Sequence, residues 1–281
     1  MRARQAGGTL AMRMEDLDTA RSKAIYAEAA CEDLRWLGIR WQEGPGASLS
    51  RLTGKGNKDG GPYGPYLQSK RRAVYLDAWR RLVRGGFLFP CRCSRKDLEQ
   101  AAGAPHEGAG QNAGQDDEPM YPGICRGNRE DGMQLPGPTA EMPDGPEGAN
   151  WRFRVPDGEA IEFEDGNLGL QRYVAGVDFG DFVVWRRDGF PSYQLACVAD
   201  DATMRITEVV RGADLLKSTA RQILLYRALG IVAPKWYHCR LAVDHNGQRL
   251  AKRHDALSIR ALRERGLTPL KVLAADVPME G

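Results

Sequence analysis

What the sequence lacks excludes several classes of protein. No apolar run approaches the ~20 residues of a membrane-spanning helix, so we do not expect an integral membrane protein. Arg2 and Arg4 are not followed by an apolar segment, so the first residues do not predict a secretory signal. The net charge is only +3, which by itself does not indicate a nucleic-acid-binding protein. A cytoplasmic protein with a sizeable core is therefore expected from the 281 residues.

Cysteines are few, six in the whole chain, and without a secretory signal their thiols are expected to stay reduced. Three stand alone in apolar or mixed stretches and are predicted to be small buried residues: Cys31, Cys197 and Cys239. The others, Cys91, Cys93 and Cys125, occur as CRC and then, after a long insertion, in YPGIC. This spacing favours a structural zinc site that needs a fourth ligand, for which His106 and Tyr121 are candidates. The alternative is three reduced thiols near a loop.

Breaker residues and helical patterns organise the chain. Three stretches rich in glycine, proline or polar residues are predicted to be flexible insertions: 44–66, 101–120 and 131–150. Three other stretches are predicted to be helices: 19–37, 69–86 and 218–230. Asp18 would cap the first helix and Gly38 would end it. In the third, Thr219 and Gln222 have the spacing of a capping box.

Strand patterns lie between these helices. WRFRV and IEFED alternate like strands, and DFVVWRRDGFPSYQLACVADD is interpreted as two strands around an Arg-Asp-Gly turn. WYHCRLAV is predicted to be a buried strand. Strands that alternate with capped helices favour an α/β domain with a largely parallel sheet. The strand pairs in the middle of the chain favour an inserted subdomain.

Seven blocks of residues occur in an order that a known family shares. They are MRMEDLD, GPYLQSKRRAVYLDAWRRLV, FPCRCSRKDLE, YPGICR, RFRVPDG, GDFVVWRRDGFPSYQLACVADDATMRITEVVRGADLLKSTARQILLYRALG and RLAKR. Together they resemble the catalytic domain of class I glutamyl-tRNA synthetases, and more closely a compact branch that glutamylates queuosine. The resemblance implies a Rossmann-like parallel sheet in residues 1–84 and 190–281. It also implies an inserted zinc-containing α+β acceptor-binding subdomain in residues 85–189.

The resemblance implies a glutamate site made of three residues. Glu15 would contact the amino group of the substrate, because an ammonium needs a carboxylate partner. Tyr193 and Arg211 match the other two substrate positions, and a planar guanidinium suits the side-chain carboxylate of glutamate. Without the flanking motifs, these residues would be interpreted as a solvated acid, a core aromatic and a surface ion-pair partner.

The resemblance also decides the fourth zinc ligand. Cys91, Cys93, Tyr121 and Cys125 match the three-cysteine, one-tyrosine site of the family. Such a site would be structural and would leave no open position for chemistry. His106 then becomes an ordinary loop residue.

The basic stretch 249–265 carries six Lys or Arg against two acids. On charge alone, a solvated basic helix face is favoured over a phosphate contact. Its first five residues resemble the mobile lysine loop of class I synthetases: Arg249, Leu250, Ala251, Lys252 and Arg253. Lys252 falls on the lysine that neutralises the ATP phosphates as pyrophosphate leaves, which makes it the implied catalytic residue. Ala251 stands where the family usually has serine, so a hydroxyl donor is lost.

The implied reaction has two steps and three partners. Glutamate attacks the α-phosphate of ATP, with Mg²⁺ on the phosphates, and this activation needs no tRNA. The glutamyl group then passes to queuosine at the wobble position of tRNA(Asp), and the protein would act as a monomer. The alternatives are a fragment of an ordinary glutamyl-tRNA synthetase and a non-catalytic RNA-binding module. A small zinc-stabilised structural protein is disfavoured, because the metal motif accounts for only one block.

One family feature has no counterpart in the chain. The sheet of the family begins with a strand and a turn that lead into a helix carrying the HIGH-type motif, whose N-terminus faces the ATP phosphates. Here MRARQAGG resembles only the tail of that helix. We therefore expect a truncated sheet without the amide groups that hold ATP.

From this absence we predict that residues 1–281 alone are poorly stable and have negligible ATP–pyrophosphate exchange, whereas an N-terminally extended form is active. Each buried backbone group left without its strand partner costs about 1–3 kcal/mol. Exchange by the two forms measures the effect. Rates within about tenfold of each other would contradict the prediction.

Overall fold

The computed structural model describes residues 2–18, 22–46, 60–94, 96–98, 120–126, 143–241 and 258–274. The chain divides into two compact units, Met1–Arg71 with Leu241–Gly281 and Arg72–Arg240. The domain boundaries that the resemblance implies stay a prediction. Across the described ranges, no helix combines the length and the apolar character that crossing a bilayer requires.

The described residues form both helices and strands. The α-helices are α1 (Arg2–Gln5), α2 (Ala24–Trp36), α3 (Arg72–Arg84), α4 (Tyr193–Thr203), α5 (Leu216–Ala228), α6 (Ile259–Glu264) and α7 (Pro269–Ala274). The strands are β1 (Leu88–Cys91), β2 (Asn150–Phe153), β3 (Ala160–Asp165), β4 (Gly169–Val174), β5 (Phe182–Trp185), β6 (Glu208–Gly212) and β7 (Lys235–Cys239). Short 3₁₀ segments, Gln68–Lys70 and Ala213–Leu215, precede α3 and α5. The fold is α/β with mixed sheets.

In the first unit, the segment around Met12 and Met14 is extended and packs on α2. The backbone N–H of Met14 donates to the carbonyl of Tyr66 at 2.8 Å, and both methionines pack against buried Cys31 and Trp41. This small apolar cluster and the backbone hydrogen bonds to Glu43 and Tyr66 hold the segment in place. They thereby position Glu15 and Asp16, which follow Met14.

Helix α2 begins later than predicted. It starts at Ala24, and its N-cap is Lys23, without a side-chain cap. The predicted start at residue 19 is therefore wrong for this helix. Residues 20 and 21, whose N–H groups Asp18 would cap, lie outside the described residues. Gly38, with φ of 82°, ends the helix as predicted, because glycine alone adopts that conformation at no steric cost.

An aromatic core holds the first sheet of the second unit. This sheet is antiparallel, with the order β1-β2-β5. Trp79 of α3 meets Trp151 edge-to-face with ring centroids 5.1 Å apart, and it lies 6.5 Å from Trp185. The predicted helix over 69–86 is confirmed as α3, although its first residues belong to the 3₁₀ segment.

The second sheet of this unit has the order β4-β3-β7-β6. Strands β6 and β7 are parallel over five residue pairs, whereas β3 and β4 form an antiparallel hairpin. Asp165, the last residue of β3, pairs in parallel with Trp236 of β7. The sheets described are thus antiparallel or mixed, and a largely parallel sheet is not what these residues form. The hairpin turns back directly after Asp165, which gives β3 an antiparallel neighbour.

One predicted strand is a helix. After the confirmed turn at Gly189, with φ of 89°, the residues predicted as the second strand form α4. Every residue from Gln194 to Asp201 is buried, Gln194, Asp200 and Asp201 included. A short buried helix and a buried strand cannot be told apart by periodicity.

Two smaller predictions are also wrong. Helix α5 starts at Leu216, so Thr219 and Gln222 lie inside it, buried, and do not form a capping box. Cys239, at the end of β7, is exposed, whereas Cys31 and Cys197 are buried as predicted.

The aromatic core gives a stability prediction. Trp79→Ala should lower the free energy of unfolding by about 3–5 kcal/mol, because it removes a fully buried side chain and leaves a cavity. Arg80→Ala, at an exposed position on the same helix, is the matched control and should change it by less than about 0.5 kcal/mol. Urea unfolding curves recorded by far-UV circular dichroism, which follows the backbone and not tryptophan fluorescence, measure the free energy of unfolding of both variants. Equal effects of the two variants would show that the indole ring is not part of the core.

Candidate functional site

The structure brings Tyr193 and Arg211 together. Tyr193 is the first residue of α4 and Arg211 lies on β6. Nη1 of Arg211 donates to the hydroxyl of Tyr193 at 3.3 Å, and both side chains are half-buried. Two residues that the motifs predicted separately therefore present a cation and a hydroxyl at one place.

Other protein groups hold the guanidinium of Arg211 in position. Nη2 donates to the hydroxyl of Thr219 at 2.7 Å and to the carbonyl of Leu215 at 3.3 Å, while Nε donates to Nε2 of His238 at 3.2 Å. The 3₁₀ turn between β6 and α5 places Leu215 and Thr219 over the end of β6. Among the described residues, only Tyr193 contacts Nη1. That nitrogen therefore keeps an N–H that can point to an anion.

A buried histidine–aspartate pair stands behind Arg211. Nδ1 of His238 lies 2.6 Å from Oδ2 of Asp165, and both side chains are 0% exposed. Asp165 also accepts the backbone N–H groups of His238, Asn167 and Leu168 at 3.0–3.2 Å. The register of the parallel strands pairs Arg211 with His238, so their side chains emerge on one face of the sheet.

The protonation states of this pair follow from its surroundings. Burial lowers the pKa of His238; the hydrogen bond to Asp165 acts against this, and the charge of Arg211 adds to it. Burial acts to raise the pKa of Asp165, but hydrogen bonds from His238 and from backbone N–H groups outweigh it, so this pKa is below its ordinary value. At neutral pH the pair is therefore an ionised carboxylate and a neutral imidazole.

Sequence reasoning missed this pair. The pattern of WYHCRLAV predicts a buried strand but does not identify a hydrogen-bond partner for the histidine inside it. A buried imidazole needs a hydrogen-bond partner, and that requirement was the available signal. The partner itself lies 73 residues away, so no local pattern could have identified it.

Glu15 lies in the first unit, at the end of the extended segment. Its Oε1 accepts from Nη2 of Arg13 at 3.0 Å, and its side chain is 42% exposed. The neighbouring Asp16 accepts the backbone N–H and the hydroxyl of Ser69 at 2.8 and 2.6 Å. Asp16 thus accepts from the start of the 3₁₀ segment Gln68–Lys70. The role of Glu15 in binding the ammonium group of glutamate stays a prediction.

The predicted lysine loop, residues 249–253, lies outside the described residues, and so does His106. The roles of Lys252 and Ala251 therefore stay predictions.

The structure gathers the predicted metal ligands into one cluster. The sulfur atoms of Cys91, Cys93 and Cys125 lie within 4.8 Å of one another. The sulfurs of Cys93 and Cys125 are 3.4 Å apart, and Sγ of Cys91 is 3.5 Å from the hydroxyl oxygen of Tyr121. A tetrahedral zinc with Zn–S bonds of about 2.3 Å separates its ligand atoms by about 3.8 Å. The four groups therefore have the number and spacing that a structural zinc site requires.

The ionisation of the cluster also suits a cation. Burial raises the pKa of Cys93 to about 11 and raises that of Tyr121 above its ordinary value. In Cys125, burial is outweighed by hydrogen bonds from the Arg92 backbone and from Tyr121, and the pKa falls to about 7. One thiol is thus close to ionised at neutral pH, and a bound cation would displace the remaining protons. The guanidinium of Arg152 lies 4.1 Å from the centroid of the Tyr121 ring, which is a cation–π contact.

Known proteins are similar to this chain in sequence. The chain matches the family described as tRNA synthetases class I (E and Q), catalytic domain, over residues 1–276. A protein named glutamyl-Q tRNA(Asp) synthetase from Symbiobacterium thermophilum is 44% identical, over 97% of this chain and 76% of its own length. A protein of the same name from Nitratidesulfovibrio vulgaris is 43% identical, over 98% of this chain and 79% of its own. Glutamate–tRNA ligase 2 of Nitrosococcus oceani is 41% identical, over 95% of this chain and 51% of its own.

A solved structure shares the fold. A glutamate tRNA ligase from Elizabethkingia meningosepticum, described as being in complex with its amino acid, superposes with a TM-score of 0.67 at 27% identity. The superposition covers 91% of this chain and 48% of that one, so the chain spans about half the length of that structure. By sequence and by fold, the chain belongs to the class I tRNA synthetase (E and Q) catalytic-domain family.

Proposed function

We propose that the protein activates glutamate with ATP and transfers the glutamyl group to queuosine at the wobble position of tRNA(Asp). The observation that carries the proposal is the guanidinium of Arg211, anchored on three sides and open at Nη1 beside the hydroxyl of Tyr193. The choice of queuosine as acceptor is supported by the names of the relatives that are 44% and 43% identical.

The chemistry of this pair favours a carboxylate over an amide. An ionised carboxylate only accepts hydrogen bonds, and Nη1 of Arg211 only donates them. The amide nitrogen of glutamine would put a second donor against the guanidinium and would leave one polar group unpaired. A charge-assisted bond to Arg211 is worth about 1.5–3 kcal/mol. Tyr193 adds a hydroxyl that can donate to the second carboxylate oxygen.

The remaining parts of the site extend this proposal. Glu15 would bind the ammonium group of glutamate, and Lys252 would neutralise the phosphates of ATP, with Mg²⁺ as the second source of positive charge. ATP supplies the adenylate-forming chemistry when bound. The residues of the chain orient the two substrates so that the α-carboxylate of glutamate meets the α-phosphate.

An ordinary glutamyl-tRNA synthetase reaction is the second candidate. It is favoured by the relative named glutamate–tRNA ligase 2, which is 41% identical, and it would use the same glutamate site. The difference lies in the acceptor, a terminal adenosine hydroxyl instead of queuosine. A non-catalytic RNA-binding module is disfavoured, because binding to an RNA backbone does not require the hydrogen-bonded setting of Arg211.

An aminoacylation assay of the N-terminally extended form, with radiolabelled glutamate, ATP and Mg²⁺, tests the proposal. We expect label on tRNA(Asp) that contains queuosine and none on unmodified tRNA(Asp) or on tRNA(Glu). Label on tRNA(Glu) would establish the second candidate instead. Arg211→Ala should lower kcat/KM for glutamate by about 10- to 150-fold, the equivalent of the lost charge-assisted bond.

The matched control is Arg227→Ala, since Arg227 lies in the same unit but forms an exposed ion pair with Glu159. This variant should keep the activity of the parent. Equal use of glutamine, or an Arg211→Ala variant as active as Arg227→Ala, would contradict the proposed pocket.

We propose further that Cys91, Cys93, Cys125 and Tyr121 hold one structural zinc ion. Such an ion would join the end of β1 to the segment 120–126 and so fix the base of the acceptor-binding insertion. Support comes from the spacing of the four ligand atoms and from the lowered pKa of Cys125.

Metal analysis of the purified protein should give about one zinc per chain, and Cys93→Ala should lose it, because three ligands bind zinc much less tightly than four. Cys239→Ser, at an exposed cysteine outside the cluster, is the control and should keep the metal. Tyr121→Phe should weaken the site without abolishing it. Full zinc content in Cys93→Ala would rule out the assignment.

A further inference from the structure

The histidine–aspartate pair behind Arg211 has no part in the reaction proposed above. His238 and Asp165 are fully buried, and burying a charged group is costly unless it is paired. An apolar residue at position 238 would fill the same space without this cost. The pair reaches the guanidinium directly, through the bond from Nε of Arg211 to Nε2 of His238 at 3.2 Å, and also through Thr219, which contacts both side chains.

The hydrogen bonds fix the tautomer of the imidazole. Asp165 is ionised and only accepts, so the nitrogen that faces it, Nδ1, must carry the proton. Nε2 is then a lone-pair acceptor, as it must be, because the Nε–H group of Arg211 points to it. The hydroxyl of Thr219, 3.2 Å from the same nitrogen, can also donate to it. All these contacts agree with a neutral imidazole protonated at Nδ1.

We propose that His238 is a positioning residue for the recognition of glutamate, with Asp165 holding its imidazole in the tautomer that accepts from Arg211. This inference rests on the proposed role of Arg211 as the carboxylate-binding group. The imidazole holds the guanidinium by Nε, which turns Nη1 towards Tyr193 and the substrate.

The neutral imidazole also works as a spacer between two charges. A carboxylate in direct contact with Arg211 would compete with the carboxylate of the substrate for the same N–H groups. With the imidazole in between, Asp165 still contributes negative charge near the guanidinium, but it takes none of the donors that face the ligand. The arrangement stabilises the cation and leaves its ligand-binding edge available.

Asp165→Asn tests the tautomer. Oδ1 of Asp165 accepts backbone N–H groups from Asn167 and Leu168, so the oxygen of an asparagine is held on that side and its NH₂ group faces Nδ1. The imidazole must then accept at Nδ1 and carry its proton on Nε2, where it meets the Nε–H of Arg211. Two donors would face each other, and Arg211 would lose its anchor.

¹⁵N NMR of labelled histidine and arginine side chains measures the tautomer of His238 and the hydrogen bond of Arg211 without any substrate. In the parent protein, we expect His238 to be protonated at Nδ1 and the Nε–H of Arg211 to give a resolved, slowly exchanging signal. In Asp165→Asn, the proton should move to Nε2 and the arginine signal should be lost to exchange with water. A parent protein with His238 protonated at Nε2, or at both nitrogens near neutral pH, would overturn the proposal even if glutamate were not the substrate.

Glutamate-dependent ATP–pyrophosphate exchange by the N-terminally extended form and its variants gives the functional readout. Asp165→Asn should raise KM for glutamate at least tenfold and change KM for ATP less than about twofold. His238→Gln should recover most of the affinity relative to His238→Leu, because a glutamine oxygen can accept from Nε of Arg211 and a leucine cannot. Glu162→Gln, the same kind of change at an exposed position on β3, is the control. Thermal unfolding of every variant separates misfolding from misplacement.

The outcomes keep the two proposals apart. An N-terminally extended parent protein that shows no glutamate-dependent exchange contradicts the proposed function, while the NMR signals still decide whether His238 positions Arg211. A tautomer that changes in Asp165→Asn while KM for glutamate stays as in Glu162→Gln contradicts the positioning role. Equal KM values for His238→Gln and His238→Leu would contradict it as well.

Discussion

A guanidinium that lies partly inside a protein needs partners for its N–H groups, and this requirement organises the second unit. The partners of Arg211 come from β7, from α5 with the turn before it, and from α4. These elements and β6 follow one another along the chain, in the order α4, β6, α5 and β7. The sheet and two helices must therefore reach their final register before the pocket exists, and the contacts that build the site are also contacts that hold the fold together.

The first sheet of the same unit is held in a different way. Its strands meet through aromatic rings, with Phe153 stacked on Phe182 at 5.3 Å and Trp79 between two other indoles. Such contacts are individually weak and tolerant of small shifts. The cysteine cluster lies at the edge of this sheet, where Cys91 ends β1. The thiol and phenol groups of the cluster thus lie at the edge of this sheet, whereas side-chain packing inside the sheet depends on aromatic surface.

The sequence supplied the elements more readily than their arrangement. The period of the apolar residues predicts helix α3 and strand β3, and the motif around Arg211 predicts its role. The sequence does not predict helix α4, because a short helix that is buried on every side cannot be told from a buried strand by the period of its apolar residues. The bond between His238 and Asp165 could not be predicted either, since it depends on β3 and β7 lying side by side. Adjacency of distant strands is a property of the whole chain, whereas periodicity is local.

The cluster of Cys91, Cys93, Tyr121 and Cys125 has a consequence for how the sequence can change. It holds Cys91 and Cys93 next to Tyr121 and Cys125, so the two ends of the sequence between Cys93 and Tyr121 lie close together. The entropy of closing a flexible loop grows only with the logarithm of its length, about 0.6 kcal/mol for each doubling. Residues can therefore be gained or lost between the two anchors at little thermodynamic cost. This is a place where the length of the protein can drift during evolution while the sheet beside it stays unchanged.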